Sequence, residues 1–458
     1  MKRWTVPALA LLLALLTPAA HALSEEAAAG LQRLDFREVI AEAKDEVFPA
    51  VVFIKCIREA HEEGRKVSGE VVGSGVCISA DGEVLTNWHV VDKAVETRCL
   101  LYDGRARYAE VLGTDKDTDL ALLQLKPGSE GEQFRYAEIG DSDRLTEGDF
   151  VMAMGAPWGL NRSVSIGIVS CTGRYLPDNS EYSLWLQTDA SVSPGTSGGP
   201  LVDTDGKVVG ITTRGALMGG DMGFAIPAGT VRLLLPRLRE HGEVNWSWTG
   251  LQLQPLRDFK RDIYFQWTEG VMVAGTDQES PARRAGLKPR DRIIAIAGQP
   301  SNALTEERLP ALRRMIGLLP KGETVEFEVM RDGKKMVVEI TPREKGKVEG
   351  EELDCPRWDL TVKEINQFDN PDLHFYRKEG VFVYGVEHPG NAADAGLRER
   401  DILLKIGDED VRSLQDVKEI YETALAEIEE RHRLVFTVMR SGLVNQVVLP
   451  YLRDYEKE

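Results

Sequence analysis

The C-terminal half of the chain repeats itself. "EGVMVAG", "ARRAGLKPRDRIIAI" and "FEVMRDG" return further on as "EGVFVYG", "ADAGLRERDILLKI" and "FTVMRSG". Gly270 answers to Gly380, Gly286 to Gly396 and Asp291 to Asp401, so one constant displacement aligns three separated landmarks without a gap. A period of about a hundred residues exceeds the roughly 20 to 50 residues of solenoid units, which makes the copies two whole tandem domains. Between them "REKGKVEGEELD" is charged and glycine-bearing and reads as a flexible linker. The 458 residues are too many for one ordinary core, and at roughly 150 residues per domain they fill about three units.

The N-terminus carries Lys2 and Arg3, an apolar run from Val6 to Leu16, and the small-x-small site Ala20-His21-Ala22. Together these read as a secretory signal cleaved before Leu23, since the run is short of the roughly 20 residues that span a bilayer. The formal charge of -18 becomes -20 once the two leader cations are lost, and so acidic a chain excludes nucleic acid as a partner. Export permits disulfides, yet the five cysteines (Cys56, Cys77, Cys99, Cys171 and Cys355) are an odd number. Cys77 and Cys171 sit in apolar runs as buried thiols, and Cys56 with Cys99 is a candidate bridge. No CxxC or HExxH spacing occurs, so no metal is implied.

From about Leu34 to His241 short apolar runs alternate with Gly, Asp and Asn turns: "AVVFIKCI", "GSGVCIS", "EVLTNWHVV", "TDLALLQL", "DFVMAMG", "SVSIGIVS", "SLWLQTD", "KVVGITT". Many short strands at close spacing predict an all-β barrel or sandwich of about 200 residues. "PAGTVRLLLPRLREHG" then predicts a closing helix that stops at Gly242.

Within that unit Ser197 lies among Gly195, Gly198, Gly199 and Pro200. A serine hydroxyl is a poor nucleophile until a neutral imidazole takes its proton and a carboxylate holds that imidazole in the right tautomer. Of the seven histidines only His89, in "EVLTNWHVVD", sits beside an apolar strand of this unit. In "DKDTDLALLQL", Asp119 stands at the mouth of an apolar strand, where a carboxylate can be buried against a histidine. His89, Asp119 and Ser197 follow the chain order of the double-barrel serine proteases. Glycines on both sides of Ser197 let the backbone aim the N–H groups of Gly195 and Ser197 at one point, an oxyanion hole whose donors are each worth about 2.7 to 4 kcal/mol of barrier.

"GSGVCIS", "LTNWHVV", "DTDLALLQL", "GAPWGL", "GIVS", "QTDASVSPGTSGGPLVD" and "GFAIP" together resemble the HtrA, or Deg, serine endopeptidases. The resemblance covers nearly all of the mature chain and implies a mainly β protein: a chymotrypsin-like double β-barrel protease domain, built from two six-stranded barrels, followed by two α+β PDZ domains. It implies His89, Asp119 and Ser197 as the triad, a homotrimer or an assembly of trimers, and protein quality control in a bacterial periplasm. Thr196 stands where the family usually has Asn. Arg214 stands where a small or apolar residue commonly lines the primary specificity pocket, near Val192. Turned inward, Arg214 favours an acidic residue before the scissile bond; turned to solvent, it does not. The segment from Arg58 to Val72 is short for the regulatory loop of some relatives.

Each repeat has a glycine followed by three apolar residues, Val271, Met272 and Val273, then Val381, Phe382 and Val383. In PDZ domains, which the repeats resemble, such a loop offers N–H groups to a peptide's terminal carboxylate while the peptide adds a strand to the sheet edge. The expected organisation is a signal peptide at 1–22, a mature N-terminal segment at 23–33, a protease domain at 34–242, PDZ domains at 247–343 and 355–453, and a linker at 344–354. The expected activity is an exported, ATP-independent, cofactor-free serine endopeptidase acting on unfolded or damaged proteins, with C-terminal peptides at the PDZ domains. The alternative is a holdase chaperone or peptide-binding scaffold with a silent protease fold.

Overall fold

The computed structural model describes residues 36–157, 162–177, 179–215 and 222–455. The expected leader and the segment 23–33 lie outside the described residues. Helix α1 (Phe36–Val47) leads into β1 (Val51–Glu62), β2 (Arg65–Cys77), β3 (Glu83–Asn87), β4 (Ala94–Leu100), β5 (Ala106–Asp115) and β6 (Leu120–Leu125), with the short α2 (Trp88–Val91) after β3. The order β1-β2-β3-β6-β5-β4 closes into a barrel. A second closed barrel, ordered β10-β11-β12-β9-β8-β7, is formed by β7 (Phe150–Gly155), β8 (Ser163–Arg174), β9 (Trp185–Thr188), β10 (Pro200–Val202), β11 (Val208–Gly215) and β12 (Gly223–Pro227). The apolar run "LALLQL" becomes β6, buried on both faces because helix α3 (Ala228–His241) covers its outer side. That helix ends on Gly242 at φ 73°, a left-handed cap that favours glycine.

All five cysteines are free thiols, so the Cys56–Cys99 bridge does not form. In the β1/β4 register Cys56 faces Thr97 and Cys99 faces Ile54, which makes the two thiols diagonal neighbours. Diagonal residues lie about 7–8 Å apart, beyond the reach of a disulfide.

The first repeat contains β13 (Ser247–Trp248), β14 (Leu251–Gln254), β15 (Arg257–Asp258), β16 (Ile263–Tyr264), β17 (Val271–Thr276), β18 (Arg292–Ile296), β19 (Gln299–Pro300), β20 (Val325–Arg331), β21 (Lys334–Ile340) and β22 (Arg343–Glu344), with helices α4 (Pro281–Arg284) and α5 (Leu309–Gly317). Its sheet runs β14-β17-β18-β20-β21 and ends on β14. The second repeat contains β23 (Glu352–Cys355), β24 (Leu360–Glu364), β25 (Val381–Val386), β26 (Ile402–Ile406), β27 (Glu409–Asp410), β28 (Arg433–Arg440) and β29 (Leu443–Pro450), with α6 (Pro371–Tyr376), α7 (Asn391–Ala395) and α8 (Leu414–Ala426). Its sheet runs β23-β24-β25-β26-β28-β29, one strand longer at the first edge. The motifs that revealed the repeat lock each other. Asp291 accepts from Arg331 at 2.7 and 2.6 Å, and Asp401 accepts from Arg440 at the same two distances.

The stretch between the repeats is not the free linker its composition suggests. Arg343–Glu344 and Glu352–Cys355 are strands, and the half-buried Lys345 forms an ion pair with Asp117 at 2.7 Å. Its charges are paired across domains instead of solvated. The crossing from the barrels to the first repeat is pinned in the same place. Trp246 stacks on Tyr182 with ring centroids 3.9 Å apart and donates its indole N–H to Asp115 Oδ1 at 2.9 Å. Burial first, and the charge of Asp117 second, push the Asp115 carboxyl up to about 6.

Two outcomes follow from these buried carboxylates. Asp401→Ala leaves the Arg440 guanidinium without its partner beneath the sheet, and calorimetry should show the second repeat destabilised by about 3 kcal/mol, the low end for breaking a buried pair because Arg440 is partly exposed. The folded protein holds the Asp115 proton up to about pH 6, whereas an unfolded aspartate releases it near about 4. The contribution of this group is therefore fully present below about pH 4 and is lost as pH rises through about 6, by an amount on the order of 2 kcal/mol. Asp115→Asn should abolish that part of the decline when the melting of the barrel unit is compared between pH 4 and pH 7.

Candidate active site

Asp119 is placed by a local device. Asp115 caps the turn Lys116–Thr118, accepting from the Thr118 amide at 3.1 Å and the Thr118 hydroxyl at 2.5 Å. The turn delivers Asp119 in the left-handed region at φ 58°, just ahead of β6, with its side chain buried. Its main-chain carbonyl accepts from the Trp88 amide at 3.0 Å and from Asn87 Nδ2 at 3.1 Å, which ties it to the start of α2. His89 stands one residue further along that helix. Its amide donates to Asp119 Oδ1 at 3.1 Å, and its Nδ1 lies 2.9 Å from both carboxylate oxygens. A carboxylate can only accept, so Nδ1 carries the proton of this contact and Nε2 is the ring nitrogen left to meet another partner. The sequence-predicted pair is thus brought into contact at the seam between the barrels.

Thr213 on β11 completes the pair and was not among the expected residues. Its hydroxyl donates to Asp119 Oδ2, and its main-chain carbonyl accepts from the Ser197 hydroxyl at 2.7 Å. Among the described residues this is the only hydrogen bond of the Ser197 Oγ, and none joins it to His89. A threonine within "GITTRG" carries no pattern that separates it from any strand residue; the only signal is a hydroxyl on the strand after the serine loop.

The loop that holds Ser197 is built by close approach. Ser193 and Thr196 close a tight turn with Thr196 N donating to Ser193 O at 2.9 Å, and Pro194 and Gly195 (φ 93°) occupy its centre as in a type II turn. Thr196, the departure from the family pattern, staples the turn: its hydroxyl donates to Ser193 O at 2.7 Å and accepts from Ser193 N at 3.0 Å. Ser74 of the first barrel donates its hydroxyl to Gly195 O at 2.7 Å and its amide to Ser197 O at 2.8 Å. A Cβ on Gly198 would stand 2.2 Å from Ser74 O, and one on Gly199 would stand 2.1 Å from Met154 O. With Thr196 N, Gly198 N and Gly199 N engaged, the N–H groups of Gly195 and Ser197 donate to nothing among the described residues. Two such donors beside a serine hydroxyl can receive a developing oxyanion.

Val192 is half-buried, and a Cβ on the facing Gly223 would meet its Cγ2 at 2.6 Å. The backbone of Arg214 pairs with Phe224 in the β11/β12 ladder, and its side chain lies outside the described residues.

The apolar triplets of the repeats do not line a sheet edge. Val271, Met272 and Val273 open β17, which has β14 on one side and β18 on the other, and all three are buried. Val381, Phe382 and Val383 open β25, between β24 and β26, and are buried likewise. A glycine before three apolar residues reads the same for a central strand as for an edge one, and these are central. In the first repeat the open edge is β14. Beside it a cavity of about 480 Å³ is lined by Trp248, Thr249, Gly250, Leu251 and Leu253, by Ile316 of α5, and by Glu181 and Tyr182 of the barrel unit. A glycine at the mouth of a strand, Gly250 before Leu251, was the available signal.

The chain matches known proteins along most of its length. The profile of the trypsin-like peptidase domain fits residues 73–211, and PDZ-domain profiles fit 249–341 and 382–428. A probable periplasmic serine endoprotease, DegP-like, of Halomonas elongata is 34% identical over 396 residues, covering 84% of this chain and 79% of that protein. A relative of the same description from Pseudomonas putida is 33% identical over 393 residues, covering 82% and 78%. Among solved structures, the HtrA-type protease AlgW with a tripeptide superposes with a TM-score of 0.59 at 32% identity, covering 67% of this chain and 97% of that one. The serine endoprotease from Yersinia pestis superposes at 0.52 with 29% identity, covering 66% and 97%. The chain therefore belongs to the HtrA family of DegP-like periplasmic serine endoproteases, with a trypsin-like peptidase domain followed by two PDZ domains.

Proposed function

We propose that His89, Asp119 and Ser197 are the catalytic triad and that the protein cleaves unfolded or damaged proteins of the cell envelope. The observation that carries this reading is the His89–Asp119 contact at 2.9 Å beside a serine loop with two unengaged N–H groups. Ser197 Oγ attacks the scissile carbonyl while His89 Nε2 takes its proton. The oxyanion forms against the N–H groups of Gly195 and Ser197, and His89 then protonates the leaving amine. Water, deprotonated by the same imidazole, opens the acyl-enzyme and releases Ser197. Asp119 keeps Nδ1 protonated throughout, and Thr213 acts through Asp119 as a positioning residue. The first PDZ domain takes the C-terminal end of an extended peptide against β14, in the cavity that reaches Glu181 and Tyr182 of the peptidase domain. The working unit is a homotrimer or an assembly of trimers, in keeping with the exposed, mutually tilted rings of Phe36 and Phe150, whose centroids are 4.6 Å apart.

The expected outcome is that a fluorophosphonate probe labels the unsubstituted protein and not Ser197→Ala. Asp119→Asn should lower kcat on a labelled, permanently unfolded protein by about 10⁴, because the wrong tautomer of His89 is then favoured. Labelling retained in Ser197→Ala would remove Ser197 from the role of nucleophile, and no labelling in either protein alongside suppression of aggregation would transfer the function to a chaperone.

A further inference from the structure

The two PDZ domains share a fold but not the state of their clefts. In the first, Leu253 pairs with Val273 and Gln254 with Met272; in the second, Val362 pairs with Val383 and Lys363 with Phe382. β14 and β24 are therefore equivalent strands, each preceded by a left-handed residue, Gly250 at φ 69° and Asp359 at φ 54°. The cleft between β14 and α5 is the open cavity described above. The corresponding cleft between β24 and α8 holds β23.

β23 lies antiparallel to β24, with Glu352 opposite Lys363, Leu353 opposite Val362, Asp354 opposite Thr361 and Cys355 opposite Leu360. A peptide entering such a cleft antiparallel would bring its last residue to the start of β24, and that is where Cys355 stands, fully buried in the domain core. Leu353, two residues earlier on the same face, packs against that core. Where a free peptide would end in a carboxylate, the chain runs on through Pro356, and the Arg357 amide donates to the Tyr421 hydroxyl of α8 at 2.9 Å. At the other end Glu352 reaches the peptidase domain, with Oε2 2.8 Å from His61 Nδ1 and Oε1 2.7 Å from Lys93 Nζ. Lys363 adds a contact at 3.3 Å. Burial opposes the charge on Glu352, but the hydrogen bonds from Lys93 and His61 and the nearby cations outweigh it and hold the carboxyl below its usual range. Gly64, at the tip of the β1/β2 hairpin, seals the same junction; a Cβ there would lie 2.3 Å from Glu387 N.

We propose that Glu352–Cys355 is the resident ligand of the second PDZ cleft. That domain is then an intramolecular clasp that fastens the end of the chain to the peptidase domain, and capture of free C-terminal peptides is confined to the first domain. The confinement rests on the peptide capture proposed above, whereas the occupancy of the second cleft does not.

The test uses the full chain carrying Ser197→Ala, so that added peptides survive, and a mixture of decapeptides ending in Val, Leu or Phe. Hydrogen exchange should show residues 352–355 protected before any peptide is added, to the same degree as the neighbouring β24 and β25. Saturating peptide should slow exchange over residues 251–254 by about tenfold and leave 352–364 unchanged. Calorimetric titration should give one peptide per chain, rising to two when Leu353→Asp and Cys355→Asp together expel the strand. The proposal is overturned by unprotected exchange at 352–355, by peptide-induced protection at 360–364 in the chain with β23 intact, or by two peptides per chain without those substitutions. If no peptide binds either domain, capture by the first domain is lost, while protection at 352–355 still decides the clasp. Should the double variant fail to fold, the exchange measurement on the chain with β23 intact stands alone.

Discussion

A carboxylate taken out of water must be met by donors, and the buried Asp119 is met from both barrels. The first barrel supplies the His89 amide and imidazole, and the second supplies the Thr213 hydroxyl. The same threonine passes its carbonyl to Ser197. One buried charge thus joins the two barrels, faces Nδ1 of His89 and, through Thr213, reaches the residue whose carbonyl accepts from the Ser197 hydroxyl. Its left-handed backbone belongs to the same requirement. The capped turn at Lys116–Thr118 places Asp119 so that its main-chain carbonyl meets Trp88 while its carboxylate meets His89.

The serine loop answers to shape more than to charge. Gly198 and Gly199 are needed because carbonyl oxygens of both barrels, from Ser74 and Met154, come within hydrogen-bond range of where a side chain would begin. The loop is wedged between barrels, and its turn is fastened by Thr196 instead of by an amide side chain. Every other N–H from Ser193 to Gly199 is engaged, which is why the two at Gly195 and Ser197 stand out as donors without an acceptor among the described residues.

The proposed triad could be picked out because each member carries a signal that survives in one dimension: the only histidine beside an apolar strand of the unit, an acid at the mouth of another, and a serine among glycines. Short strands at close spacing left a barrel or a sandwich open, and the double barrel was what the family resemblance implied. Thr213 and Ser74 were not legible, since a hydroxyl residue in a strand looks alike whether it faces solvent or a carboxylate. Charge misled at residues 343–354, where Lys345 and Glu352 look solvated in composition and are paired across domains in space. The glycine and three apolar residues of each repeat marked a strand correctly but not its place in the sheet, because an interior strand and an edge strand share one hydrophobic pattern.

The second domain differs from the first through a paired exchange of side chains. In the first, Gly250 precedes β14 and a Cβ there would lie 2.2 Å from Ser280 Cβ, while Ser280 caps α4 by accepting from the Arg283 amide. In the second, Gly390 stands at the place of Ser280 and offers α7 no side-chain cap. Asp359, at the place of Gly250, fills the space and accepts from the Asn391 amide at 2.6 Å, so the cap reaches α7 from the strand loop. Aspartate tolerates the left-handed backbone that this position demands. A loop whose side chain is committed to a helix start is fixed before any ligand arrives, and the first domain has no such commitment at Gly250. The occupied cleft and the open one therefore differ in their loops as well as in their contents, which is what two domains with one fold and two tasks require.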